Sequence, residues 1–178
     1  VVGTGGYASG PLLFVASKMG IPSLIQEQNS YPGITNKLLS KITNKICVAY
    51  PGMEKFFPKE KILFSGNPIR QDLQDISKLK PEAYSHFKFN KDKTTILVVG
   101  GSLGALTINN SMEKLVKDFP LGVQLLWQTG TSFYSQAANF ESKSIRVMKF
   151  ISRMDFAYSV ADIVISRAGA STISELCL

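Results

Sequence analysis

The sequence predicts a doubly wound α/β fold built on parallel sheets, and three observations predict it. Strand-sized runs fall at residues 21–25, 46–50, 62–65, 95–99, 123–128, 145–150 and 163–166, each close to continuously apolar, as strands covered on both faces are. Helix-length stretches lie at 8–19, 33–43, 105–119, 131–140, 153–160 and from 170 onward, so that strand and helix alternate. Glycine-rich turns join strand ends to helix starts, as repeated βαβ units require.

In chain order, Val1-Val2-Gly3 reads as the end of a strand entering a glycine loop. The chain has no Met there and stops at Leu178 inside an apolar periodic stretch, so both ends are expected to lie within a longer protein. The run 21–25 ends in a polar cluster, Gln26-Glu27-Gln28-Asn29, ahead of the turn Ser30-Tyr31-Pro32-Gly33. Capping of the next helix accounts for one or two of those four side chains, and the others are free to grip a ligand beyond the strand end. In the helix over 33–43 and its continuation, Lys37, Lys41 and Lys45 fall at i, i+4 and i+8 on one face. A solvated face and an anionic membrane surface are both readings of that stripe.

Beyond the strand at 62–65, Gly66-Asn67-Pro68-Ile69-Arg70 offers a guanidinium suited to an anion. Charge density then rises and strands lapse, which places a connector over 71–93 between a first domain, 1–70, and a second, 94–178. A short helix at 82–87 is expected to lie against the second domain, and His86, the single histidine, reads as a surface or packing residue. Over 105–119, Ala105, Ile108, Met112, Leu115, Val116 and Phe119 form one stripe, with Asn109, Asn110, Glu113 and Lys117 elsewhere. Glu175, early in the last helix, is placed to accept bonds from a ribose diol or to complement the helix dipole.

Composition narrows the classes. The chain has 178 residues, 44% hydrophobic and 19% charged, ordinary for a globular protein. No apolar run approaches the roughly 18 residues of a membrane span, and no signal-peptide pattern opens the chain. Cys47 and Cys177 are isolated, which is read as two reduced thiols in a cytoplasmic protein, and no His/Cys pattern marks a metal site. The net charge of +7 is concentrated early: residues 1–70 hold eight Lys/Arg against three Asp/Glu, and residues 71–178 hold twelve against ten. A basic face suits nucleic acid, an anionic membrane or a phosphorylated substrate. Phe14, Phe56, Phe57, Tyr84 and Trp127 sit in apolar runs and read as core rather than as a stacking platform, so no nucleic-acid partner is expected.

Three segments carry phosphate-binding character: 3–11 (GTGGYASGP), 100–105 (GGSLGA) and 166–172 (SRAGAST). Each follows a strand and opens a helix, where unpaired N–H groups and the positive helix end converge. Tight turns that need glycine only for packing are the plainer reading of any one of them. Gly3-x-Gly5-x-x-Ala8 with Glu27 about twenty residues on also satisfies the dinucleotide fingerprint. An NAD(P)-dependent oxidoreductase and a non-catalytic nucleotide-binding module therefore stand as alternatives.

Six motifs in order, 3–11, 27–29, 32–37 (PGITNK), 66–70 (GNPIR), 100–105 and 166–175, resemble those of the MurG family. These N-acetylglucosaminyltransferases convert lipid I to lipid II in peptidoglycan synthesis. The resemblance spans essentially the whole chain and implies a GT-B glycosyltransferase, with two Rossmann-like doubly wound domains, both incomplete in this chain. It implies that UDP-GlcNAc is held mainly by the second domain, with Ser102 by the donor phosphates and Ile151 meeting the uracil through its backbone. The stretch Ala170, Ser171, Thr172, Ile173, Ser174 and Glu175 would wrap the nucleotide, with Glu175 on the ribose hydroxyls, and Asn29 and Arg70 belong to the same donor set. Gly5, Gly6, Tyr7, Glu27 and Gln28 correspond to the site for the acceptor diphosphate.

The implied reaction is an inverting transfer of GlcNAc to the C4 hydroxyl of the MurNAc of lipid I, undecaprenyl-pyrophosphoryl-MurNAc-pentapeptide. No cofactor and no metal are implied. The catalytic base is left unassigned, because the family's histidine-bearing first glycine loop would precede residue 1, and the family's donor-sugar Gln would follow Leu178. Gln26 stands where some relatives have His. The family also implies a peripheral position on the cytoplasmic face of the bacterial inner membrane, with the basic N-terminal domain on anionic lipid.

Overall fold

The computed structural model describes all 178 residues. They divide into two compact units, Val1–Ile69 and Arg70–Leu178. The first carries β1 (Val2–Gly3), α1 (Ser9–Lys18), β2 (Leu24–Glu27), α2 (Ile34–Leu39), β3 (Lys45–Val48) and β4 (Ile62–Phe64). Its sheet runs β1-β2-β3-β4, all parallel, with Ile25 opposite Ile46 and Val48 opposite Phe64. Leu13 of α1, Leu39 of α2, Met53 and Phe57 close over Ile25, Ile46 and Val48 to make its core.

The second unit holds α3 (Lys80–Phe87), β5 (Thr94–Val99), α4 (Leu106–Leu115), β6 (Val123–Gln128), α5 (Thr131–Ala137), β7 (Ile145–Met148), α6 (Met154–Val160), β8 (Ile163–Ser166) and α7 (Ala170–Leu176). Its parallel sheet is ordered β7-β6-β5-β8. Alternate residues of the central strands feed two cores. Leu97, Val99 and Leu126 pack with α3 and α6 residues such as Phe87, Phe156 and Val160. Val98, Leu125 and Trp127 pack with Met112 of α4 and Phe133 of α5. Helices on both faces of a parallel sheet are the doubly wound arrangement the sequence predicts.

Several expectations are corrected. Not every strand is covered on both faces: β4 and β8 close their sheets as edges, leaving Leu63, Phe64, Ile163 and Ile165 exposed. Phe14 is exposed rather than core, because α1 turns Leu13 and Ala16 inward. In α4 the stripe is rotated: Leu115 is exposed and Asn109 is buried, its Nδ2 donating to the Thr129 carbonyl (2.8 Å) and its Oδ1 accepting from Trp127 Nε1 (3.1 Å). Two matched partners offset the desolvation of that amide.

The helix predicted over 33–43 ends at Leu39. The Ser40 hydroxyl bonds back to the Lys37 carbonyl (2.7 Å), and Lys61 Nζ donates to the Ser40 and Lys41 carbonyls (3.1 and 2.8 Å). These donors satisfy the last turn from outside and end it. Lys37, Lys41 and Lys45 therefore occupy a helix, a turn and a strand start instead of one helix face. Lys37 lies over the Tyr31 ring, 4.0 Å from its centroid.

Residues 71–93, expected as a connector, carry two 3₁₀ turns and α3, and Ala83, Phe87 and Phe89 enter the second unit's core. Buried Gln124 of β6 anchors this stretch, accepting from the Asn90 N–H (3.0 Å) and donating to the Asn90 carbonyl and Thr95 Oγ1 (2.8 Å each). His86 is exposed and stands edge-on to Phe87 and Phe156.

Candidate functional site: strand-end cavities

In the second unit the chain steps outward through β5, β6 and β7, then returns with β8 on the other side of β5. Such a reversal opens a crevice beyond the carboxyl ends of the two diverging strands, the usual ligand position in open α/β sheets. A cavity of about 280 Å³ lies there, lined by Val99, Gly100 and Gly101 after β5 and by Arg167, Ala168, Gly169 and Thr172 after β8. Two of the three glycine-rich segments thus meet at one place. Arg167 contributes a cation to a wall otherwise made of backbone and small side chains, a composition suited to a phosphate ester. It was not singled out from the sequence, although it immediately follows the β8 run.

The glycine loop is held by close approach. Gly104 has φ +79 and Gly130 φ +77, and a Cβ on Gly104 would overlap the Thr129 carbonyl while one on Gly130 would overlap the Leu103 carbonyl. Gly101, at φ +87, has open space on its side-chain side. Below the loop, Gln128 Nε2 donates to the Gly101 carbonyl (2.9 Å) and Gln128 Oε1 accepts from the Ile151 N–H (2.8 Å). Ser102 is exposed in the loop, next to the cavity-lining Gly101. Ile151 is buried with its N–H committed to Gln128.

The stretch 170–175 is divided rather than gathered. Thr172 lines the glycine-loop cavity, whereas Glu175 lines a second one of about 390 Å³ with Tyr158, Asp75, Ser77 and apolar side chains including Leu73 and Val164. Tyr158 Oη donates to Glu175 Oε2 (2.9 Å). Burial, then the Glu175 carboxylate, push the Tyr158 phenol above its usual range and keep it a donor. Ser174 Oγ donates to the Ala170 carbonyl within the helix, and Ser171 and Ile173 are exposed. Arg70 opens this unit and pairs with Asp72 (3.4 Å).

In the first unit a cavity of about 270 Å³ lies beyond β1 and β2, lined among others by Gly5, Gly6, Glu27, Gln28, Asn29 and Asn36. Tyr7 is 91% exposed and is not part of the wall. Glu27 is buried, and its work is internal. Oε1 accepts from the Asn29 N–H and Nδ2 (3.0 and 3.2 Å), and Oε2 accepts from the Gly33 N–H and Asn36 Nδ2 (3.1 and 2.8 Å). Gln26 donates to the Gly66 carbonyl (3.1 Å). Internal bonds therefore account for Gln26, Glu27 and Asn29 of the polar cluster, more of it than helix capping alone does. A ribose-binding role for Glu27, on which the oxidoreductase alternative rests, would break this set.

Asn36 is buried with its Nδ2 shared between Glu27 and the Gln26 carbonyl, while its Oδ1 has no partner. Buried acceptors are rarely left so, and this one lies in a cavity wall.

Two parallel α/β units, each with a strand-end cavity beside a glycine-rich turn, define a doubly wound α/β protein with its candidate sites beyond the strand ends. The comparisons make the class specific. The Glycosyltransferase family 28 N-terminal domain matches residues 1–48, and the Glycosyltransferase family 28 C-terminal domain matches residues 95–178. The chain belongs to glycosyltransferase family 28.

A protein of Parabacteroides distasonis is 58% identical over 182 residues, covering 99% of this chain and 50% of that protein. One of Christiangramia forsetii is 51% identical over 179 residues, covering 100% of this chain and 49% of its own length. Both are named UDP-N-acetylglucosamine--N-acetylmuramyl-(pentapeptide) pyrophosphoryl-undecaprenol N-acetylglucosamine transferase. The crystal structure of Acinetobacter baumannii MurG is similar with a TM-score of 0.66 at 33% identity, over 99% of this chain and 48% of that one. The expected GT-B class agrees with that likeness, and the chain spans about half the length of the relatives it matches.

Proposed function

We propose that this chain forms part of the enzyme that transfers N-acetylglucosamine from UDP-GlcNAc to the C4 hydroxyl of the MurNAc of lipid I, yielding lipid II. The observation that carries the reading is the cavity at the β5/β8 reversal, where Gly100, Gly101 and Arg167 surround space for a diphosphate. The acceptor hydroxyl attacks the anomeric carbon, the bond to the UDP oxygen breaks, and configuration inverts through an oxocarbenium-like state. Charge grows on the departing diphosphate. Loop N–H groups, Ser102 and Arg167 are the groups of this chain that would take it up, in the manner of an oxyanion hole. No step here is assigned to a metal or cofactor.

The first unit's cavity is the counterpart for the acceptor diphosphate, with the Gly5-Gly6 backbone as cradle and Asn36 Oδ1 as an acceptor for a ligand hydroxyl or N–H. Arg70, Ile151 and the 170–175 stretch remain part of the proposed donor set, and Asn29 belongs to the wall of the first unit's cavity. A peripheral position on the cytoplasmic membrane face is supported by exposed Leu12, Phe14 and Val15 on α1 and Met19 just after it, with Lys18 beside Phe14.

The test is calorimetry and kinetics on the full-length enzyme. UDP-GlcNAc and UDP are expected to bind in preference to a GDP-sugar and NAD. Ser102→Ala and Arg167→Ala should lower kcat/KM by up to about a hundredfold, the lower end of the range for one lost donor to a developing charge. Glu175→Ala should chiefly raise the donor KM. Unchanged kinetics in all three, or binding of NAD alone, would overturn the reading.

A further inference from the structure

We infer that Gln128 is the positioning residue of the nucleotide site: one buried side-chain amide sets the direction of two peptide units, one in the phosphate loop and one in the 150–151 segment. The inference rests on the donor-site reading above.

Gln128 ends β6 and is 4% exposed. Its orientation is fixed by its partners, since Nε2 meets the Gly101 carbonyl and Oε1 meets the Ile151 N–H. Exchanging oxygen and nitrogen would set acceptor on acceptor and donor on donor. A trans peptide carries its C=O and N–H on opposite sides. The Gly101 carbonyl is drawn inward by Gln128 and also accepts from the Gly104 N–H (2.9 Å), so the N–H of Ser102, in the same peptide unit, is turned outward.

The loop is open here: Gly101 lines the cavity and nothing lies within 4 Å of its Cβ position. Glycine pays little for alternative backbone angles, so without these bonds that unit is free to flip and present its carbonyl in place of the N–H. A carbonyl there would repel the anion an N–H attracts.

The same amide acts on a second unit. Holding the Ile151 N–H inward turns the carbonyl of Phe150 outward, next to a side chain that is itself exposed. An outward carbonyl suits the imide N–H of a uracil ring, and it lies beside the Ile151 backbone of the proposed donor set. Gln128 thereby ties phosphate recognition and base recognition to one strand end, without touching the ligand.

Two variants of the full-length enzyme test this. Gln128→Met fills the space and loses both bonds. Gln128→Glu keeps an acceptor for Ile151 but sets a carboxylate oxygen against the Gly101 carbonyl; when protonated, as burial favours, its O–H again donates to that carbonyl. With thermal unfolding monitored to confirm folded protein at assay temperature, Gln128→Met should weaken UDP binding by about tenfold to a hundredfold, the scale of small misplacements. KM for a soluble lipid I analogue should stay within about twofold of the parent value. Relative to the parent enzyme at the same pH, Gln128→Glu should bind UDP poorly at pH 8 and recover toward pH 6, which Gln128→Met should not do. Folded variants that bind UDP like the parent at both pH values would overturn the inference, and if Gln128→Glu does not fold, Gln128→Met alone decides it. A parent enzyme with no preference for UDP over GDP would instead overturn the donor-site reading, and this inference with it.

Discussion

Gly104 and Gly130 pack backbone against backbone, each within reach of a neighbour's carbonyl and each in the left-handed region. Gly104→Ala should therefore cost about 1–2 kcal/mol for the backbone alone, and more for the overlap with the Thr129 carbonyl. Urea denaturation of parent and variant checks this, and an unchanged midpoint would contradict the packing. Gly104 was legible as part of a glycine-rich strand-to-helix turn, but Gly130 and the residues that hold the turn in place were not. Asn109 read as a solvent-facing side chain because helical periodicity sorts by polarity, and only tertiary contact reveals that Trp127 and Thr129 supply its partners. Glu27 had the reverse fate. Its position at a strand end suggested a ligand contact, whereas four internal donors occupy its carboxylate.

Among the elements, the strands of the second unit were the most readable, since β5 and β6 are central and their apolar character reports burial directly. The end of α2 was not, because its capping ammonium comes from Lys61, about twenty positions away. The start of α6 shows how local charge steadies an element. Arg153 Nε and Nη2 donate to the buried Asp155 carboxylate (2.9 and 2.7 Å), and the guanidinium stacks on Phe156 at 3.5 Å. The bond from Arg153 holds the Asp155 carboxyl below its usual range, against the opposing effect of burial. A lowered folded value means the pair stabilises the fold above the ordinary carboxylate range and loses that contribution as pH falls through the folded value. Asp155→Asn should accordingly lower thermal stability at pH 7, and the deficit should shrink below about pH 4 as the parent's own carboxylate protonates. A deficit independent of pH would point to shape rather than charge.

At the scale of the whole molecule, the two-unit organisation and the parallel sheets followed from alternation of runs and glycine turns, while the placement of charge needed coordinates. The lysine stripe dissolves once α2 ends at Leu39, yet the first unit keeps its basic excess and gains an exposed apolar face on α1. Sedimentation with vesicles containing anionic lipid should show binding that falls between low and physiological salt as screening shortens. It should weaken further on charge reversal of Lys18, Lys37 and Lys41, and binding indifferent to both would remove the membrane reading.

The outer edges of β4 and β8 carry a different consequence. Each ends its sheet with exposed apolar residues, Leu63 and Phe64 on one, Ile163 and Ile165 on the other. An uncovered parallel edge of that kind is a template for another chain's backbone, with no Pro or charged residue within β8 to blunt it. Handled by itself at high concentration, this stretch of polypeptide is poised to self-associate edge to edge, and a Lys placed at Ile163 or Ile165 would act as a gatekeeper against aggregation.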